Sequence, residues 1–154
     1  MKRIKSVSKT SKQNTDATTE ESIKKHKYNA CKVEIDGVIF DSKNEADYYI
    51  NIVKPGLETG EILSVVFHPQ YVLVPSFERN VNGLKRKFRQ MTYSADFRLE
   101  LADHSIRLID IKGMVTSDFK LKYKMFNYLY DDMDLILLKA RRSKKQIIWE
   151  EVKL

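Results

Sequence analysis

Cysteine is almost missing from this 154-residue chain, where Cys31 stands alone. A single thiol closes no internal disulfide and builds no cysteine-rich zinc site. Such a chain suits a reducing compartment, and the expected location is cytoplasmic. Long apolar runs are missing too. None approaches the roughly 20 residues of a membrane helix, and the basic N-terminus has no apolar core of the signal-peptide kind. No membrane partner is therefore expected. Histidine is scarce, and His26, His68 and His104 show no metal-ligand spacing. There is no glycine-rich loop of the P-loop or dinucleotide type, and no Ser or Cys sits in a recognisable nucleophile motif.

What the chain does have is apolar residues at 42%, enough for one packed core, and charged residues at 32%, with a net charge of +7. Excess positive charge suits a polyanionic partner and equally keeps a protein soluble. The charge is unevenly spread. Residues 1–27 carry eight basic residues (Lys2, Arg3, Lys5, Lys9, Lys12, Lys24, Lys25, Lys27) against Asp16, Glu20 and Glu21, so the segment holds +5 and the rest +2. With so few apolar residues it reads as a basic flexible tail, either a solubilising leader or an arm that finds phosphates. Residues 28–154 read as one domain.

That domain opens with Val33, Ile35, Val38 and Phe40 around Asp36-Gly37, a hairpin turn signal. Asp41 to Glu45 looks like a helix start, and Ala46, Tyr49, Ile50, Val53 and Leu57 continue at helical spacing. Pro55-Gly56 is expected to end or bend this helix, with a further turn before Gly60. Strands are expected over Ile62–Phe67, Tyr71–Val74, Lys87–Leu101 and Ile106–Lys112, with Asn82-Gly83 and Asp103-His104 as turns. Within Lys87–Leu101, Tyr93, Ala95, Phe97, Leu99 and Leu101 alternate against polar residues. Thr116 or Ser117 caps a second helix with an apolar stripe of Phe119, Tyr123, Phe126 and Tyr130. Short strands follow at Leu135–Lys139 and Ile147–Val152. The order suggests an α/β sandwich with a mixed β-sheet flanked by helices.

Asp110 and Lys112 lie two apart on one strand, so both side chains leave the same face. A carboxylate and an ammonium there can bind a divalent metal and hold a water beside it. If the preceding hairpin turns about Asp103, Asp96 falls opposite Asp110 on that face. A register one residue away separates them unless a bulge intervenes. Phosphodiester cleavage needs such a set: carboxylates for Mg²⁺, and a lysine to orient or deprotonate the water. Each residue also has an ordinary role. An Asp-x-Lys is commonly a solvated ion pair. Glu45 completes the S-x-x-E capping box begun by Ser42. From the local pattern, capping is its expected role.

Taken together, Tyr93-Ser94-Ala95-Asp96-Phe97 and Leu108-Ile109-Asp110-Ile111-Lys112-Gly113 resemble the PD-(D/E)xK nuclease superfamily, with Glu45 on the preceding helix matching its additional acid. More specifically, the chain resembles a family of short phage and prophage nucleases long catalogued as a domain of unknown function. That likeness rests on Val33 to Gly37, Phe40 to Ala46, the Asp96 and Asp110 segments, and Phe119-Lys120-Leu121-Lys122, and covers roughly residues 27 to 140. The superfamily's Pro before the first Asp is Ala95 here, and the middle acid is Asp110 rather than Glu. The resemblance implies a restriction-endonuclease-like core and a metal-dependent DNA endonuclease in a bacterial host cell. Glu45, Asp96, Asp110 and Lys112 would be catalytic. Asp96, Asp110, Glu45 and the Ile111 carbonyl would be ligands to Mg²⁺, for which Mn²⁺ could substitute. Branched DNA such as a Holliday junction is the expected substrate, by analogy with resolvases of this fold, and a homodimer is expected with it. Lys85, Arg86, Lys87 and Arg89, and Lys120, Lys122 and Lys124, are candidate contacts to DNA phosphates. Two other function classes remain: a non-catalytic nucleic-acid-binding module, and an interaction protein on a fold that has lost its activity.

Overall fold

The computed structural model describes residues 32–144 and 146–154. The tail read over residues 1–27, the start of the domain at Tyr28 and Cys31 lie outside them. The first hairpin pairs β1 (Val33–Ile35) with β2 (Val38–Phe40). Asp36 and Gly37 both take positive φ, 53° and 77°, as a two-residue turn between twisted strands requires.

Ser42 then caps α1 (Lys43–Tyr48), which runs through a π-helical turn (Tyr49–Val53) into α2 (Lys54–Thr59). Pro55 therefore does not stop the helix. It has no amide to donate, and the widened turn just before it, where the Lys54 amide reaches back to the Tyr49 carbonyl, accommodates that gap. The chain leaves the helix at Gly60, whose φ of 79° ends it.

Five strands form the main sheet, in the order β11 (Ile147–Glu151), β10 (Asp134–Arg142), β9 (Ile106–Ile111), β8 (Phe97–Leu101), β3 (Ile62–Phe67). Only β9 and β10 run parallel, and α3 (Ser117–Leu129) connects them. The fold is thus mixed α/β. One face of the sheet packs Phe97, Leu99, Ile109 and Ile111 against Tyr48, Tyr49 and Val53 of the first helical segment. The other face packs Leu108, Leu135 and Leu137 against Phe119 and Phe126 of α3. Fully buried Phe40, Phe97 and Phe126 each contribute about 1.5–3 kcal/mol by leaving water.

The segment read as one strand from Lys87 to Leu101 is three: β6 (Leu84–Phe88), β7 (Met91–Ser94) and β8. β7 pairs with β4 (Gln70–Val74), and β6 with β5 (Phe77–Val81). After a bulge between Val72 and Val74, the register of β4–β7 continues into β5–β6. The two pairs therefore form one long antiparallel arm, tipped by Asn82-Gly83 and interrupted near Pro75. The expected alternation also fails at one place. Tyr93 and Ala95 pack in the α3-side core, whereas Phe97 and Leu99 pack on the opposite side of the sheet. The face changes at Asp96. Among the described residues, no helix is long and apolar enough to cross a membrane.

Candidate active site

The face change has a local cause. The β8–β9 ladder holds the register centred on Asp103, pairing Phe97 with Ile109 and Glu100 with Ile106. One step beyond Phe97 the ladder breaks. Asp96 donates its amide to the Ile109 carbonyl, and its Oδ2 accepts the Ile111 amide at 2.6 Å. A side chain thus stands in for a main-chain acceptor, and the strand turns from the sheet into the arm. On the facing strand the matching corner is His68, with φ of 49°, whose amide donates to the Asp96 carbonyl at 3.0 Å.

Asp110 and Lys112 leave β9 and its continuation on the α3 side, as the two-residue spacing requires. Asp110 is fully buried. The Tyr93 hydroxyl donates to its Oδ2. Its Oδ1 accepts no hydrogen bond from any described residue. The Lys112 ammonium lies 2.8 Å from that oxygen, so the contact is ionic and out of line for a hydrogen bond. The same ammonium sits 4.9 Å above the centre of the Phe119 ring, which fixes it from the α3 side. Burial and the neighbouring Asp110 charge push the Tyr93 phenol far up, so it stays protonated and donates.

Glu45 makes the capping box. Its amide donates to Ser42 Oγ at 3.2 Å, its Oε1 accepts from that hydroxyl at 2.6 Å, and its Oε2 accepts the Asp41 amide at 3.1 Å. The same buried carboxylate also reaches the corner. Glu45, His68 and Asp96 each offer a ligand atom within 4.8 Å of the others. The His68 Nε2 lies 3.2 Å from the Ile39 carbonyl. A carbonyl only accepts, so Nε2 is the donor, and in the neutral ring the lone pair falls on Nδ1.

The four residues singled out in the sequence therefore meet around Asp96. Its carboxyl is pushed up to about 8, first by burial, then by Asp110 and Glu45, against the opposing pull of the Ile111 amide and Lys112. Crowding of acids at a partly desolvated position is a hallmark of cation sites, because a divalent ion relieves both the desolvation and the repulsion. The donor set fits one: the Glu45 and Asp96 carboxylates and the His68 imidazole offer ligand atoms within 4.8 Å of one another. Asp110 lies outside that group and acts on Asp96 through its charge, with Tyr93 and Lys112 against its own oxygens.

Beside the site a cleft of about 450 Å³ is lined by Thr92, Ser94, Lys112, Met114 and Lys122, among others. The three lysines of α3 do not border one cleft. Lys122 faces this cleft, whereas Lys120 and Lys124 border another one, with Tyr123 and Leu154. Lys85, Arg86, Lys87 and Arg89 are exposed on or beside the outer part of the arm.

Sequence reading misses His68, Tyr93 and Phe119. His68 is legible in principle. Counting outward from Asn82-Gly83 along an antiparallel hairpin arrives at His68-Pro69 opposite Asp96.

A family model described as "Protein of unknown function (DUF1064)" matches residues 25–146. The chain belongs to that family. No curated protein and no solved structure matches it. The DUF1064 description carries no activity, so the chemistry of this site has to be read from its geometry.

Proposed function

We propose that this DUF1064 protein is a divalent-metal-dependent DNA endonuclease of the PD-(D/E)xK type, with a restriction-endonuclease-like core. One observation carries the reading. Glu45 from a helix, Asp110 from β9, and Lys112 just past that strand surround the half-buried Asp96 carboxyl at the corner between β7 and β8, and its pKa is raised to about 8. Gathering three acids at a sheet corner costs stability unless something positive occupies the space between them.

Asp96, Asp110, Glu45 and the Ile111 carbonyl would hold Mg²⁺ or Mn²⁺, with His68 as a further donor. Imidazole favours the softer Mn²⁺ of the two. When bound, the ion lowers the pKa of a water and draws charge from the phosphorus oxygens. The chain's own residues do the rest. Tyr93 fixes the Asp110 carboxylate, and Ser42 with the Asp41 amide fixes Glu45, so the acids are oriented before substrate arrives. Lys112, pinned between Asp110 and the Phe119 ring, presents its Nζ to orient the water and to stabilise charge on the phosphate. Four-way and other branched DNA is the favoured substrate within this reading, by analogy with resolvases of this fold.

The test is single-turnover cleavage of linear, nicked, flapped and four-way DNA with Mg²⁺ or Mn²⁺, beside melting curves. Asp96→Ala, Asp110→Asn and Lys112→Ala are each expected to lose at least ~10²-fold in rate while remaining folded. Asp110→Asn keeps an acceptor for the Tyr93 hydroxyl. A near-normal rate in any variant removes that residue from the site. A second reading has one observation in its favour: Asp110 is fully buried, with Tyr93 and Lys112 already against it. That suits a structural polar cluster in a non-catalytic nucleic-acid-binding module. Retained DNA binding with no cleavage of any substrate would establish it.

A further inference from the structure

The outer part of the arm is almost wholly exposed from Pro75 to Arg89, with only Val81 partly covered. Its sequence is strongly basic: Arg79, Lys85, Arg86, Lys87 and Arg89 against the single acid Glu78. The two faces of this ribbon differ. Directly opposed residues of an antiparallel pair share a face. The register Phe77↔Phe88, Arg79↔Arg86, Val81↔Leu84 puts these six residues on one side, and Glu78↔Lys87 with Asn80↔Lys85 on the other. The second face neutralises itself in part, because Lys85 Nζ lies 2.6 Å from Glu78 Oε2. The first does not. Arg79 and Arg86 stand opposite each other and neither makes an ion pair among the described residues. Like charges directly opposed destabilise a strand pair. They are flanked by apolar groups that the protein leaves in water: Phe77 and Phe88, stacked with centroids 4.7 Å apart, and Leu84, 62% exposed.

We infer that this face of the arm is a duplex-DNA contact. A two-stranded ribbon fits the major groove, and the opposed guanidinium groups suit phosphate oxygens or guanine edges, which remove their mutual repulsion. The inference rests on the nuclease reading only for its geometry. The arm grows out of the site, since β7 runs into Asp96 and carries Tyr93, the partner of Asp110. At about 3.3 Å per residue, Arg86 reaches at most ~33 Å from Asp96, or about ten base pairs at ~3.4 Å each. The arm thus grips the duplex within one helical turn of the cut phosphate.

Binding of a labelled duplex is measured in EDTA over a range of salt, so that the result does not depend on cleavage. Arg79→Ala/Arg86→Ala is expected to weaken binding at least ~10-fold and to lower the log affinity versus log salt slope by about 2. Lys85→Ala/Lys87→Ala is expected to weaken it less. In the full chain, p-benzoylphenylalanine in place of Phe88 is expected to cross-link to DNA on irradiation. Unchanged affinity and slope in the arginine variant overturns the proposal. So does an equal loss in both variants, which would mean undirected charge, or a cross-link only to a second copy of the chain. A protein that cuts DNA but ignores the arginine substitutions sinks this inference alone. One that binds through them but never cuts sinks the nuclease reading alone.

Discussion

At Asp96, burial and the charges of Asp110 and Glu45 act in the same direction, and the pKa rises from 3.8 to about 8. The folded state therefore binds this proton more tightly than the unfolded chain does. The stability it contributes is complete below the unfolded value near 3.8 and is lost as pH climbs through about 8. In metal-free protein, melting temperature is expected to fall across that window, more gently in Asp96→Asn, which keeps an acceptor for the Ile111 amide. Mg²⁺ or Mn²⁺ should restore the loss at pH 8 in the wild type and not in Asp96→Asn. Melting curves at pH 5 and 8, with and without ion, check this. A variant as pH-sensitive as the wild type would show that the titrating group lies elsewhere. Glu45 has two sets of neighbours, because both its oxygens accept cap bonds and it also lies beside His68 and Asp96. Glu45→Gln can satisfy only one of those bonds as acceptor. It is expected to cost about 1 kcal/mol of stability and most of the cleavage rate, whereas Ser42→Ala should lose similar stability through the cap and less of the rate. Equal rate losses would make Ser42 as necessary as Glu45. At this scale the sequence is readable where spacing dictates the face, as with Asp110 and Lys112. It does not announce His68, which a distant segment brings to the acids and which only the register counted out from Asn82-Gly83 reveals, nor the role of Tyr93, which the change of face at Asp96 turns toward Asp110.

Elements are legible in kind and less so in continuity. The alternation from Tyr93 to Leu101 looks like one amphipathic strand. It conceals a change of face, because both faces of the sheet are apolar and either parity finds a core. Pro55-Gly56 signals a helix end or bend with a further turn before Gly60, and helix does run on to Thr59 before Gly60 ends it. Gly56 has a reason beyond turn chemistry. A Cβ there would lie 2.7 Å from Ile62 Cδ1 and 2.8 Å from its Cγ1, and Ile62 is buried. Gly to Ala inside a helix normally stabilises by up to ~1 kcal/mol, but overpacking costs about 1–3 kcal/mol. The clash involves more than the flexible end of the side chain, so overpacking wins. Gly56→Ala is expected to lower stability by roughly 1 kcal/mol, and by less when made in an Ile62→Ala background, where both close atoms are gone. Chemical denaturation in the two backgrounds decides the sign. A stabilised single variant would mean that helix propensity dominates.

At the scale of the molecule, one mixed sheet between two helical layers holds one candidate site among the described residues. Resolving a four-way junction takes two cuts placed symmetrically, so a resolvase built from this chain has to pair about a two-fold axis. The expected outcome is a dimer at micromolar concentration that binds four-way DNA more tightly than linear duplex at matched salt. Light scattering and competition binding measure both. A strict monomer without that preference retires the resolvase assignment and leaves nicking or end-processing. The arm also bears on how such a protein diversifies. Its strands pair residue for residue out to Asn82-Gly83, so inserting or removing matched residues on both sides near the tip alters its length and leaves Tyr93, Asp96 and His68 where they are. Under the proposed function, substrate reach and bond-breaking would therefore be separable properties. A matched insertion near the tip would then change how far the arm extends and leave the proposed catalytic residues in place.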